Sequence, residues 1–278
     1  MNQNTSEGTR SSSTRPIYNK EGIFKLCLAC ISALLAAFTG IFFGLDFDVE
    51  SMYFRSASSS YILGTVMTIA VAGMAVLSII LKANLSPVRR KGTTLLQYLS
   101  AITLFLLFLQ SIMGRSIWLV IFSLIAIAYF IGLFNRHYAA NTALGIGAVL
   151  FCGVCIAQTY FDYSIAVNSP YKLLCQLGMA ISMLLIANEL RFDLDGGKPA
   201  SYRLISALTF ILNISAAAAG IALVILGAKN INYCFIPCAV MAIYSARIFF
   251  ARSKPTIEAP DTDTTPDEKG TDTDENVN

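Results

Sequence analysis

The chain has 278 residues, 55% of them hydrophobic and 13% charged, and its mean hydropathy is +0.63. Soluble domains carry about 25% charged residues, so this composition belongs in a membrane. The net charge of +3 divides unevenly. Two lysines against eight acids leave residues 253–278 at −6 and the remainder at +9. The basic residues flank apolar runs and form no stripe, which suits anionic lipid headgroups and excludes a nucleic-acid partner.

Residues 1–21 are rich in Ser, Thr and Asn and carry Arg10, Arg15 and Lys20 without any apolar period. They read as a disordered cytoplasmic tail. The first apolar run, Gly22 to Leu45, exceeds the 7 to 15 residues of a signal-peptide core and reads as a retained anchor. Seven further runs follow: Tyr61–Leu81, Leu95–Met113, Ile117–Phe134, Ala139–Tyr160, Tyr171–Leu190, Leu204–Leu226 and Ile231–Phe250. Each is about the length that crosses a bilayer's hydrocarbon, so the expected fold is all-α, a bundle of about eight transmembrane helices over residues 22–252. Residues 253–278, acidic and holding three prolines, read as a second disordered cytoplasmic tail.

Orientation follows from the basic residues. With the N-terminus inside, sixteen Lys and Arg are cytoplasmic, and only Arg55, Arg115, Lys172 and Lys229 fall outside. Tyr53, Tyr61, Trp118, Tyr160, Tyr163, Tyr171 and Tyr233 crowd the outer ends, as aromatic rings do at headgroup level. The sequence thus predicts a multi-pass protein of the cell (cytoplasmic) membrane with both termini cytoplasmic. Loop lengths in residues 22–134 recur in 139–250, the pattern of a parallel repeat, but no residue-level identity between the halves accompanies it and chance agreement of loop lengths is the better reading.

Glu189 is the only acid inside an apolar run. Its neighbour Arg191 is two residues away, and positions i and i+2 on a helix do not face each other. A partner is therefore expected from another helix, with Arg247 first and Arg136 second, because both reach a similar depth. The bland alternative is a snorkelling helix end that locks helices together.

Cys27 and Cys30, and Cys152 and Cys155, have the C-x-x-C spacing of dithiol redox centres. In lipid, however, cysteine usually serves as a small apolar residue. Asp46, Asp48 and Glu50 alternate in the first outer loop and would share one side of an extended segment, offering oxygens to Ca²⁺ or Mg²⁺. Without a turn glycine after them, a hydrated acidic loop is the better reading. Asp195-Gly196-Gly197-Lys198 lacks the spacing of a phosphate-binding loop and reads as a turn. Gln158, Gln176 and Asn213 are neutral polar groups at depth, able to bridge helices or line a cavity. Gly40, Gly44, the stretch Ser215–Gly220 and Gly145, Gly147 and Gly153 suit close helix approach.

No mid-membrane carboxylate, nucleotide loop, zinc-protease or esterase motif is present, so proton pumping, ATP hydrolysis and those hydrolytic chemistries receive no support. No cofactor or metal is implied, and no catalytic residue is assigned. The leading expectation is a small permease or membrane subunit holding a neutral or lipidic ligand between helices. Alternatives are a membrane scaffold whose acidic tail and basic loops dock membrane or cytoplasmic protein partners, and a membrane thiol oxidoreductase.

Overall fold

The computed structural model describes residues 20–82, 85–86, 91–114, 116–132, 138–194, 197–228 and 231–253. Both tails, Arg115, Arg136, Lys229 and the Asp195-Gly196 turn lie outside the described residues, apart from the helical Lys20 and Glu21 and the strand residue Ser253. Eight α-helices carry the described fold: α1 (Lys20–Leu45), α2 (Ala57–Leu81), α3 (Lys91–Met113), α4 (Ile117–Ile131), α5 (Tyr138–Phe161), α6 (Pro170–Asp193), α7 (Pro199–Ile225) and α8 (Asn232–Ser245). A 3-10 turn, Ala246–Phe249, continues α8.

Six of these, α1, α2, α3, α5, α6 and α7, are long and apolar enough to cross a membrane. The other two are shorter than their apolar runs. Gly132, in the left-handed region at φ 69°, ends α4 and turns its N–H back to Ala128 and Tyr129. In α8, Pro237 sits inside the helix, and the helix tightens into its 3-10 end one turn before Phe250. Pro170 and Pro199 open α6 and α7, where the missing N–H costs nothing.

Helices α3 to α7 follow one another around α8, which touches α3, α5, α6 and α7. α1 packs on the far side of α7, and α2 lies outermost, against α1 and α7. Burial follows that order: 56% of the central α7 window is buried, but only 22% of that in α2. Small residues set the closest approaches. A Cβ on Gly220 of α7 would lie 2.3 Å from Phe235 Cβ of α8, so only glycine lets these two backbones meet.

Two short antiparallel ladders close the ends. At one end, β1 (Phe47–Asp48) pairs with β2 (Tyr53–Phe54), and Phe47 and Phe54 pack with Phe43 at centroid distances of 4.8 and 5.0 Å and with each other at 5.3 Å. Met52, at φ 60°, completes the turn. The acidic loop expected here is a tight hairpin. The Asp48 carboxylate accepts the backbone N–H groups of Glu50 and Ser51 at 3.3 and 3.2 Å. The Ser51 hydroxyl, those two N–H groups and the Arg55 charge hold the Asp48 carboxyl below the usual range. Among the described residues, no group of three His, Cys, Asp or Glu is arranged to hold a metal.

At the other end, β3 (Leu85–Ser86) pairs with β4 (Arg252–Ser253), so Ser253 belongs to the folded body and not to the tail. Lys25 Nζ donates to the Ala251 carbonyl at 2.7 Å and also pairs with Glu21, tying α1 to the same place. Nearby, Arg203 of α7 is buried and donates through Nε to Ser78 Oγ at 2.9 Å and through Nη2 to the Ser78 carbonyl. That guanidinium closes the last turn of α2, where carbonyls lack helical partners.

Candidate functional site

Glu189 lies one turn before the end of α6, and 6% of it is exposed. An isolated carboxylate so placed would cost several kcal/mol. Three elements answer it. Arg247, in the 3-10 turn after α8, brings Nη2 to 2.5 Å from Glu189 Oε1. Tyr244, in the last turn of α8, donates its hydroxyl to Oε2 at 2.5 Å, and Tyr129, in the last turn of α4, donates to the same oxygen at 3.5 Å. Tyr202, in the first turn of α7, is buried and rests edge-on against Phe192 of α6.

Arg247 is held twice more. Its guanidinium lies 3.6 Å from the Tyr244 ring centroid, and its Nε donates to the Tyr244 carbonyl at 3.0 Å. Both carboxylate oxygens of Glu189 are therefore occupied, which makes the cluster an ion-pair lock joining α4, α6 and α8. As it stands, Glu189 offers no free oxygen to a ligand. Arg191 is exposed. Asn188 is buried beside Glu189 with its Nδ2 lacking a partner. The tyrosines escaped the sequence reading because an apolar helix end with a tyrosine looks like an interfacial belt.

The neutral amides are apart from one another. Asn213 of α7 is fully buried and donates through Nδ2 to the Gly178 carbonyl at 3.0 Å and to Ser182 Oγ at 2.9 Å, both on α6. Gln158 of α5 donates to Ser116 Oγ at 2.7 Å, at the start of α4. Gln176 is half-buried on α6. Gln158 and Asn213 thus tie different helix pairs through their amide nitrogens, while the side-chain oxygen of each is buried with no hydrogen-bond partner among the described residues.

All seven thiols are free. Cys152 and Cys155 are buried on α5, as are Cys175 on α6 and Cys234 and Cys238 on α8. Cys238 Sγ reaches the Cys175 carbonyl at 3.8 Å. These thiols pack as small side chains of the bundle interior.

The structure also opens a groove that no residue pattern announced. Between α1 and α2, Ile31, Leu34, Leu35, Phe38 and Ile41 face Val66, Ile69, Ala70 and Gly73 across about 770 Å³. Every lining side chain is apolar. A second recess of about 340 Å³ begins at Ile69, which lines both, and continues along α2 past Thr68, Thr65, Gly64, Tyr61 and Ser60.

The class of protein defined by these features is an all-helical bundle with six membrane-length apolar helices, a buried ion-pair lock at one end and a side groove between its two outermost helices. Compared with family models, curated proteins and solved structures, the chain matches none.

Proposed function

We propose that this chain is a multi-pass protein of the cell membrane, with both termini cytoplasmic, that binds a lipidic ligand between α1 and α2 as a small permease or membrane subunit. The groove carries this reading. It lies at the middle of two membrane-length helices, holds about 770 Å³ and offers hydrocarbon on all sides. That is the size range of small-molecule sites, and an all-apolar lining selects an alkyl or isoprenoid chain over a polar solute. The groove opens where α2, the least buried of the six long apolar helices, stands against α1, while α1 itself is held by its broad contact with α7.

Native mass spectrometry of the full chain released from nanodiscs tests the reading. The wild type should leave with bound lipid. Gly73→Trp should leave without it, since nothing lies within 4 Å of a Cβ at that position and the indole would fill the groove without disturbing the bundle. Equal lipid retention by the two proteins would refute the reading.

A further inference from the structure

We propose that Cys30 carries a long-chain acyl group in thioester linkage, and that this chain is the occupant of the groove between α1 and α2. The proposal rests on the lipidic reading and on a cytoplasmic N-terminus, and adds the chemistry of the ligand and its point of attachment.

The two thiols of α1 are placed unlike the other five. Cys152, Cys155, Cys175, Cys234 and Cys238 are buried, whereas Cys27 is half-buried and Cys30 is exposed. At about 100° per residue, Cys27 and Cys30 fall on the face of α1 that lines the groove. Ile31 and Leu34 follow them one turn later, and Phe38 and Ile41 carry the same face onward. The C-x-x-C pair therefore stands at one end of the groove, in the half of α1 that the proposed orientation turns toward the cytoplasm.

Length and polarity together identify the occupant. From Ile31 to Ile41 the groove follows α1 for about 15 Å at 1.5 Å per residue. The acyl chains of one leaflet fill half of a hydrocarbon core of about 30 Å, which is also about 15 Å, whereas a spanning partner helix would use all of it. The lining is apolar throughout and so gives a free lipid nothing to hold its headgroup. A covalent anchor removes that need, because a chain tethered at Cys30 meets the groove as an intramolecular partner at high effective concentration.

The chemistry needs only an acyl-coenzyme A as donor. The Cys30 thiolate attacks the carbonyl carbon of that thioester, the new bond to Cys30 sulfur forms as the bond to coenzyme A sulfur breaks, and the thiol proton ends on the released coenzyme A. One thioester replaces another, so no oxidant or reductant is consumed. Cysteines near a membrane surface are the usual acceptors of such acyl groups, and exposure selects Cys30 over Cys27.

The test uses the full chain in nanodiscs, incubated with palmitoyl-coenzyme A and weighed intact under native and then denaturing conditions. The wild type should gain one palmitoyl group that survives denaturation and is removed by neutral hydroxylamine, which cleaves thioesters. Cys27→Ser should gain it equally, and Cys30→Ser should gain none. A photoreactive group at the far end of the chain should cross-link to Phe38, Ile41, Val66 or Ala70, and Gly73→Trp should cut that yield at least tenfold while keeping the thioester. No adduct on the wild type, or an equal adduct on Cys30→Ser, overturns the proposal. The lipidic reading then stands if native spectra show lipid that denaturation removes and Gly73→Trp lacks. An adduct whose cross-links fall outside the groove overturns the occupancy, and wild-type spectra with neither adduct nor lipid overturn both readings. Cys30 is exposed, so an unchanged unfolding midpoint for Cys30→Ser serves as the control on folding.

Discussion

The guanidinium of Arg247 lies 3.6 Å above the ring of Tyr244, and the two side chains end on opposite oxygens of one carboxylate, that of Glu189. Cation, ring and anion thus form a closed set, in which loss of any member exposes the others to a buried, water-poor setting.

From this closure we predict that Glu189→Gln and Arg247→Gln each destabilise the protein, by about 3 kcal/mol for a broken buried pair. The double mutant should cost less than the sum, with a coupling of about 1 to 3 kcal/mol. Chemical unfolding of the four proteins in detergent measures the cycle. Tyr244→Phe, which removes one charge-assisted donor, should cost about 1.5 to 3 kcal/mol.

A second prediction concerns the tie between α6 and α7. A Cβ on Gly178 would lie 2.9 Å from Asn213 Oδ1, so Gly178→Ala should destabilise by pushing the amide off its α6 partners. Asn213→Ala alone should cost about 1 to 2 kcal/mol for its lost interhelical bonds. Combining them should relieve the clash, giving a double mutant close to Asn213→Ala alone. Additive losses would show that the backbone, and not the amide, is what Gly178 serves.

The ladder between Leu85–Ser86 and Arg252–Ser253 divides the C-terminal region into a part that packs and a part that need not. Truncation after Ser253 should leave the thermal midpoint of the solubilised protein unchanged. Truncation after Ala251 should lower it by a few degrees, about what losing one short strand pairing of roughly 1 kcal/mol does. Equal midpoints for the two truncations would mean that the ladder adds nothing to stability.

Topology is checked by reporter fusions after Asn168 and at Asn278, which should report opposite sides of the membrane. The result tests the two short helices in particular. If α4 and α8 together with its 3-10 turn both cross, an even number of spans returns the C-terminus to the side of the N-terminus. A common side for both reporters would contradict eight spans.

The six long apolar helices were legible because few structures other than a membrane span demand a run of about twenty apolar residues. Glu189 was legible for the complementary reason: an acid within such a run must meet a donor, and Arg247 is among the few cations at that depth. Its tyrosine donors were not, since a phenol on an apolar helix serves equally as core or as interface. The ladders were beyond reach because strands of two residues have no period to read, and Leu85 and Ser253 are paired across most of the chain. The groove depends on how far apart α1 and α2 stand, which is set by where each meets α7 and not by either helix alone.

The central place of α7 has a consequence for biogenesis. α1 makes its broadest contact with α7, yet Ile225, at the end of α7, is synthesised about 180 residues after Leu45. At typical rates of about 5 to 20 residues per second, α1 is therefore made roughly 10 to 40 s before its principal neighbour is complete. In the proposed membrane setting, α1 and α2 stand in lipid as a pair first and join the bundle second, as independently inserted helices do. The groove between them is thus formed before α7, the helix that fixes α1 to the bundle, has been made.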